Sequence, residues 1–180
     1  MSIARKFKRA VARFRSDERG MAALEFAVVS PAFMLLFISA IESGLLMTRQ
    51  VMLERGLDMA VREVRLATGT PPDYNTLRKM ICNGAGILDE CVADLRLEMV
   101  PVDPRGTVNI PRKAQCVDRA KPFEPVRQFV PGQDNELVYL RACIKFKPIF
   151  PTAGLGFQIS DVRGEYKIVA DNLFVAEPSS

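Results

Sequence analysis

Glu25 is the acid whose placement invites a chemical reading, because it stands inside an apolar stretch, Met21-Ala22-Ala23-Leu24-Glu25-Phe26-Ala27-Val28-Val29. A carboxylate in a membrane costs about 2–3 kcal/mol at mid-depth, less near an interface, and is seldom placed there without a partner. The four cysteines, Cys82, Cys91, Cys116 and Cys143, all follow that stretch. An even number on one side of a membrane segment suits disulfides in an oxidising compartment. The chain has no histidine, which removes the commonest general base, most zinc sites and every Ser–His or Cys–His nucleophile pair. No C-x-x-C pair supports redox or metal chemistry. Gly84-Ala85-Gly86 and Gly154-Leu155-Gly156 lack the third glycine and the strand-to-helix setting that a phosphate cradle needs. The adjacent acids Asp89-Glu90 fall in an expected turn, where a solvated surface is the default. The expectation is therefore no catalytic, cofactor-binding or metal-ligating residue and no cofactor. A Ser–Lys arrangement, as in an anchored hydrolase, is left open by the composition.

The elements that would position Glu25 follow from charge and hydropathy. The run Phe26–Ile41 contains no charge, and the twenty residues from Ala22 to Ile41 make a helix of about 30 Å, the thickness of a hydrocarbon core. The net charge of +4 belongs to the leader: residues 1–20 hold seven basic and two acidic side chains, leaving 18 basic and 19 acidic in the remainder. The body offers no basic groove for nucleic acid, and no nucleic-acid partner is expected. Only Arg49 and Arg55 are basic in the twenty residues after Ile41, so the positive-inside rule keeps the N-terminus cytoplasmic and exports everything after about residue 45. A cleavable secretory signal would end in a small-x-small site, and Phe37-Ile38-Ser39-Ala40-Ile41-Glu42-Ser43-Gly44 supplies no good one. A simpler alternative is an uncleaved signal anchor with Glu25 as an interfacial acid, its leader acting as a polybasic patch on acidic lipid.

Gly20 followed by Met21 and, five residues on, by Glu25-Phe26 resembles the cleavage region of class IV prepilins. The longer stretch Arg13-Phe14-Arg15-Ser16-Asp17-Glu18-Arg19-Gly20, through Pro31 to Glu42-Ser43-Gly44, more closely resembles the TadE-like proteins of tight-adherence (Flp, type IVb) pilus systems. The resemblance covers roughly residues 13–50. It implies cleavage between Gly20 and Met21 by a prepilin peptidase, and a registration role for Glu25 and Phe26 when subunits assemble. It also implies two further partners, an inner-membrane assembly platform and other pilin-like subunits. The chemistry at each position agrees. Gly20 permits the extended backbone a protease needs, and cleavage frees an α-amine on Met21 that can neutralise a carboxylate in apolar surroundings. Pro31 removes a helix donor and should kink or loosen the helix, which a membrane helix tolerates.

Beyond the membrane segment the residues stand alone. Leu53, Leu57, Ala60, Val61 and Val64 recur at helical spacing, with Glu54, Arg55, Asp58, Arg62 and Glu63 on other faces. One helix is therefore expected from Ala22 to Thr68, stopped by Gly69-Thr70-Pro71-Pro72. A shorter helix is expected at Tyr74–Cys82. A strand is expected where Leu95, Leu97 and Met99 alternate with Asp94, Arg96 and Glu98. A second runs through Val138, Leu140, Ala142, Ile144 and Phe146, with Cys143 on its polar side, and a third spans Glu165–Val175. Residues 103–136 hold five prolines and little periodicity, so that stretch is either functional or mobile. Phe146–Phe157, stiffened by Pro148 and Pro151, is expected to be a packed connection, with an exposed contact surface as the alternative.

The expected architecture is α+β and pilin-like. It comprises a leader at 1–20, a transmembrane helix at 21–44, its continuation at 45–68, and an exported domain at 69–180 with a small antiparallel sheet laid on the helix. Four cysteines allow three connectivities, and 82–91 with 116–143 is preferred because it follows chain order. The expected function is a minor pilin or pseudopilin with a structural or assembly role. The alternative of another class is a signal-anchored periplasmic binding or sensing module, its long loop carrying a ligand surface.

Overall fold

The computed structural model describes residues 20–66, 72–88, 90–106, 112–118 and 128–177, together with Lys8, Val11, Ala12 and Ile110. The leader before Gly20, apart from those three single residues, and the expected helix stop at Gly69-Thr70-Pro71 lie outside the described residues. One helix, α1, runs Met21–Leu66 and passes through Pro31 without interruption. Proline has no N–H, so the Ala27 carbonyl lacks its usual donor there. The two ends of α1 are held in different ways. Met21–Val29 and Pro31–Phe37 are exposed, while Leu53, Leu57, Ala60 and Val61 in its second half are buried in the core.

The second helix, α2, runs Tyr74–Ala85. Asp73 starts it by accepting the N–H groups of Asn75 at 3.0 Å and Thr76 at 3.4 Å, and it also accepts the Thr76 hydroxyl. These bonds, the hydroxyl first, hold the Asp73 carboxyl below its ordinary range. The helix continues one turn beyond the expected end at Cys82. It stops where Gly86, at φ +67°, turns its N–H back to the Cys82 carbonyl at 3.1 Å. Helices α1 and α2 cross at glycine: a Cβ on Gly56 would stand 2.3 Å from the Ile81 carbonyl oxygen, and one on Gly84 would stand 3.0 Å from the Gly56 Cα. Only residues without a side chain let the two backbones approach so closely.

A single turn of helix, α3 (Cys91–Asp94), leads into a three-stranded antiparallel sheet. Its strands are β1 (Arg96–Val102), β2 (Leu137–Phe146) and β3 (Tyr166–Val175), in the order β1-β2-β3. The register sets Leu97, Ala142 and Ala170 in one row and Met99, Leu140 and Asn172 in the next. With Val138, Ile144, Ile168 and Phe174 these residues form a face packed on α1 and α2, in one core with Leu77 and Ile81. The architecture is the expected α+β.

The opposite face of the sheet departs from the alternation pattern. Glu98 and Cys143, expected on polar faces, are only 4% and 1% exposed. Parts of the proline-rich stretch lie over them: Cys116 is bonded to Cys143, and Gln115 beside it is buried. Glu98 is paired with Arg141 across the strands at 3.4 Å. Residues 128–130 cap the free edge of β1, Met99 donating to the Gln128 carbonyl at 3.0 Å and accepting from Val130 at 2.9 Å, which removes an open edge for unwanted pairing. The described parts of residues 103–136 thus complete the fold. The other disulfide, Cys82–Cys91, ties α2 to α3, so the pairing is the one in chain order. A last short helix, α4 (Gly154–Ile159), begins in the Phe146–Phe157 connection and runs just past it; it was not foreseen from the sequence.

Candidate functional site

The first half of α1 has the composition of a membrane span, long and apolar enough to cross a bilayer, and none of its most apolar window is buried against the chain. Val28 is 75% exposed and Leu36 72%, a display of apolar side chains that water does not tolerate over a continuous surface. Leucine, alanine and methionine favour the helix here, and a helix also satisfies every backbone group from within, as a lipid surround requires.

Gly20 precedes the first turn and has open space around it. Met21 and Glu25 are four residues apart on α1 and so share one face, one turn from each other. Phe26 is 71% exposed beside them. Glu25 is exposed and makes no hydrogen bond or ion pair among the described residues. These four residues therefore form one cluster at the start of the helix, while Pro31 lies farther along the same apolar surface. A carboxylate presented in this way suits a cation supplied from the end of its own helix or from a neighbouring molecule. An amine at a helix N-terminus is unfavourable beside the positive end of the macrodipole, and an acid one turn away offsets that.

A second acid on α1 behaves in the opposite manner. Glu42 is 0% exposed. Its Oε2 accepts the backbone N–H groups of Ile149 at 3.0 Å and Phe150 at 3.2 Å, and its Oε1 is buried without a hydrogen-bond partner. One turn earlier, the Ser39 hydroxyl donates to the Leu35 carbonyl at 2.7 Å and accepts the Leu155 N–H at 3.2 Å. Gly154, at φ +59°, lies so close that a Cβ would stand 2.6 Å from the Ser39 Oγ. Farther along, the Arg49 guanidinium donates to the Tyr166 hydroxyl and sits 4.7 Å over the Phe146 ring, and Gln50 donates to the Val169 carbonyl at 2.9 Å. Together these polar side chains fasten the helix to the connection 147–155 and to β3, leaving no smooth apolar seam along which the domain could slide.

Glu42, Ser39 and Arg49 were missed as joint residues from the sequence. A signal was nonetheless present: Glu42, Leu46, Arg49, Leu53 and Leu57 follow one another at spacings of three or four and lie on one face of α1. The core stripe therefore begins at Glu42, and a charge on a core stripe calls for a partner.

Below α4 a turn is held by Asp161, which accepts the N–H groups of Arg163 at 2.8 Å and Glu165 at 3.1 Å and faces Lys145 at 3.6 Å. The two backbone donors hold the Asp161 carboxyl below its ordinary range. Arg163 also pairs with Asp118, which raises its guanidinium pKa and draws residues 112–118 onto this turn. Among the described residues no group of three or more acidic or cysteine side chains is placed to hold a metal ion.

The model of the TadE-like protein family matches residues 20–62. That span runs from Gly20 almost to the end of α1 and takes in Glu25, Phe26, Pro31 and Glu42. The N-terminal helix is accordingly TadE-like, and together with its apolar surface this points to single-pass membrane anchoring. No curated protein and no solved structure matches the chain.

Proposed function

We propose that this protein is a minor pilin or pseudopilin of a tight-adherence (Flp, type IVb) pilus system, with a structural or assembly role and no catalysis. The single observation that carries the reading is Glu25, an acid without a partner among the described residues, five residues after Gly20 on an exposed apolar helix, within a segment similar to the TadE-like family. A prepilin peptidase cuts between Gly20 and Met21. The basic leader stays on the cytoplasmic side of the inner membrane, and the domain from about residue 69 lies in the periplasm, where its two disulfides are stable.

Cleavage replaces a peptide nitrogen with a charged α-amine on Met21. In a low-dielectric surround that amine and the Glu25 carboxylate attract strongly, and leaving either alone is costly. The pair forms within one chain or between an incoming subunit and its neighbour, and an unpaired Glu25 thereby selects the register in which a new subunit docks. Phe26 and the apolar residues after it supply the contact surface between helices. The other partners are the inner-membrane assembly platform and pilin-like subunits meeting this helix, with surface adhesion or biofilm formation as the outcome served.

The decisive measurement is the N-terminus of the membrane-extracted protein, by intact mass and N-terminal sequencing, with and without a prepilin peptidase in the host. The expected result is a chain beginning at Met21 only when the peptidase is present. A chain that keeps residues 1–20 in both hosts overturns the pilin reading and leaves a signal-anchored periplasmic module.

A further inference from the structure

Two stretches of this chain lack charge and are brought side by side by the fold. One is Phe26–Ile41 on α1. The other is 148–160, Pro-Ile-Phe-Pro-Thr-Ala-Gly-Leu-Gly-Phe-Gln-Ile-Ser, bounded by Lys147 and Asp161. The contacts between them fix their relative depth. Ile149 and Phe150 are held at Glu42, at the end of the apolar run. Gly154 lies against Ser39, with the Leu35 carbonyl 3.6 Å and the Ile38 Cγ2 3.7 Å from where its Cβ would be. Residues 35–39 precede Glu42 by three to seven positions, about 5–10 Å along a helix rising 1.5 Å per residue. The start of α4 therefore stands beside α1 at a level inside the apolar run, below the point where the run ends.

Apart from Thr152 and Gln158, the side chains that this segment exposes are apolar. Ile149 is 53% exposed and Phe157 is 60% exposed, and no element among the described residues covers them. In water such a surface next to a bare apolar helix would be a liability. In a bilayer it meets the outer few ångströms of the hydrocarbon and the headgroup boundary, where short amphipathic helices and aromatic rings are at their most stable. The exposed Lys147 at its margin suits the phosphate layer above.

From this geometry we propose that residues 148–160 form an interfacial foot whose partner is the lipid surface. Seated in the leaflet on the domain side, the foot sets the depth of α1 and holds the domain against the bilayer. Continuity with the membrane helix favours lipid over a second protein: the foot adjoins the run Phe26–Ile41, and Glu42, the ionisable group at their contact, is fully buried. The inference rests on the membrane-anchored reading of α1.

Because the chain has no tryptophan, single substitutions give site-specific fluorescence. Full-length Phe157→Trp is reconstituted in phosphatidylethanolamine/phosphatidylglycerol vesicles, with or without brominated acyl chains. Ile149→Trp is a second reporter of the foot should the first misfold, Phe33→Trp reports the helix, and Val175→Trp reports the far end of β3. The expected result is that brominated lipid removes most of the emission of Phe157→Trp and Phe33→Trp and leaves Val175→Trp unchanged, while aqueous acrylamide does the reverse. If Phe33→Trp is quenched by lipid but both foot reporters are quenched by acrylamide as fully as Val175→Trp, the foot is overturned and the anchor stands. If Phe33→Trp itself escapes the lipid quencher, the membrane reading falls and the foot with it. Shielding of Phe157→Trp that brominated lipid does not reach, and that vanishes when protein is diluted into excess lipid, assigns the surface to a second copy and overturns the lipid assignment.

Discussion

Glu25 and Glu42 are carboxylates on one helix, and their surroundings assign them opposite work. Glu25 stands on the exposed start of α1 and makes no hydrogen bond or ion pair among the described residues. Glu42 begins the half that is packed, and the fold supplies two backbone donors to one of its oxygens. A buried acid that accepts backbone N–H groups from a distant part of the chain is an internal fastening, whereas an exposed acid on an apolar surface is an offer to a partner. The residue type is the same in both places, and what separates them is whether a tertiary contact reaches the helix at that level.

The comparison is broken most directly at Glu25. Glu25→Ala is expected to abolish assembly and complex formation with pilin-like subunits while leaving the melting temperature of the exported domain unchanged. Pilus yield, co-purification and a thermal melt check it, and intact assembly would show that Glu25 has no registering role. Glu42→Ala should do the converse. Leaving the two N–H groups of Ile149 and Phe150 without their acceptor is expected to cost about 2–3 kcal/mol and to expose the 148–155 connection to proteolysis, with leader cleavage unaffected. Glu42→Gln keeps an acceptor oxygen and is expected to fall between wild type and Glu42→Ala in a denaturant titration. If the two Glu42 variants melt like wild type, the fastening is not at Glu42.

Two glycines sharpen the contrast within the packed half, one at the crossing with α2 and one away from it. Gly56→Ala drives a methyl into the Ile81 carbonyl and should destabilise by about 1–3 kcal/mol. Gly44→Ala, with nothing within 4 Å of the added carbon, is expected to be neutral or slightly stabilising because alanine favours the helix. Equal melts for the two would mean that α1 and α2 do not approach at Gly56.

The smallest effect is with pH and belongs to the folded C-terminal domain alone. Asp73 and Asp161 both have carboxyls held below their ordinary value of 3.8 by hydrogen bonds to the charged form. A lowered folded-state pKa means that the contribution is fully present above 3.8 and is lost as pH falls through the lower folded value. Both groups are exposed and screened. A shallow fall in stability confined to that acid range is expected, followed by circular dichroism, and Asp73→Asn should flatten part of it.

The α+β architecture, the long helix and the places of the three strands were legible in the sequence because each rests on a local signal. Leu53, Leu57, Ala60 and Val61 repeat at helical spacing, and Leu97, Met99, Val138, Leu140 and Ala142 alternate. The readings that shifted did so for reasons a single segment does not carry. The second helix ran past Cys82 because Gly86 supplied the left-handed stop. Glu98 and Cys143 became buried because a segment with no periodicity of its own lies over them, and α4 formed in a connection whose only visible traits were aromatic residues, proline and glycine.

What the amino-acid order determined by itself is the membrane-helix half of this protein: where charge stops and resumes, where Gly20, Glu25 and Phe26 fall, and how long the apolar run is. Those properties need no partner within the chain, since a helix satisfies its own backbone and its exposed side chains answer to the solvent around them. Tertiary structure alone decided the joint. Glu42 meets Ile149 and Phe150 across more than a hundred residues, and Gly154 meets Ser39. Contacts of that separation depend on how α1, α2 and the sheet pack together, which no local pattern records.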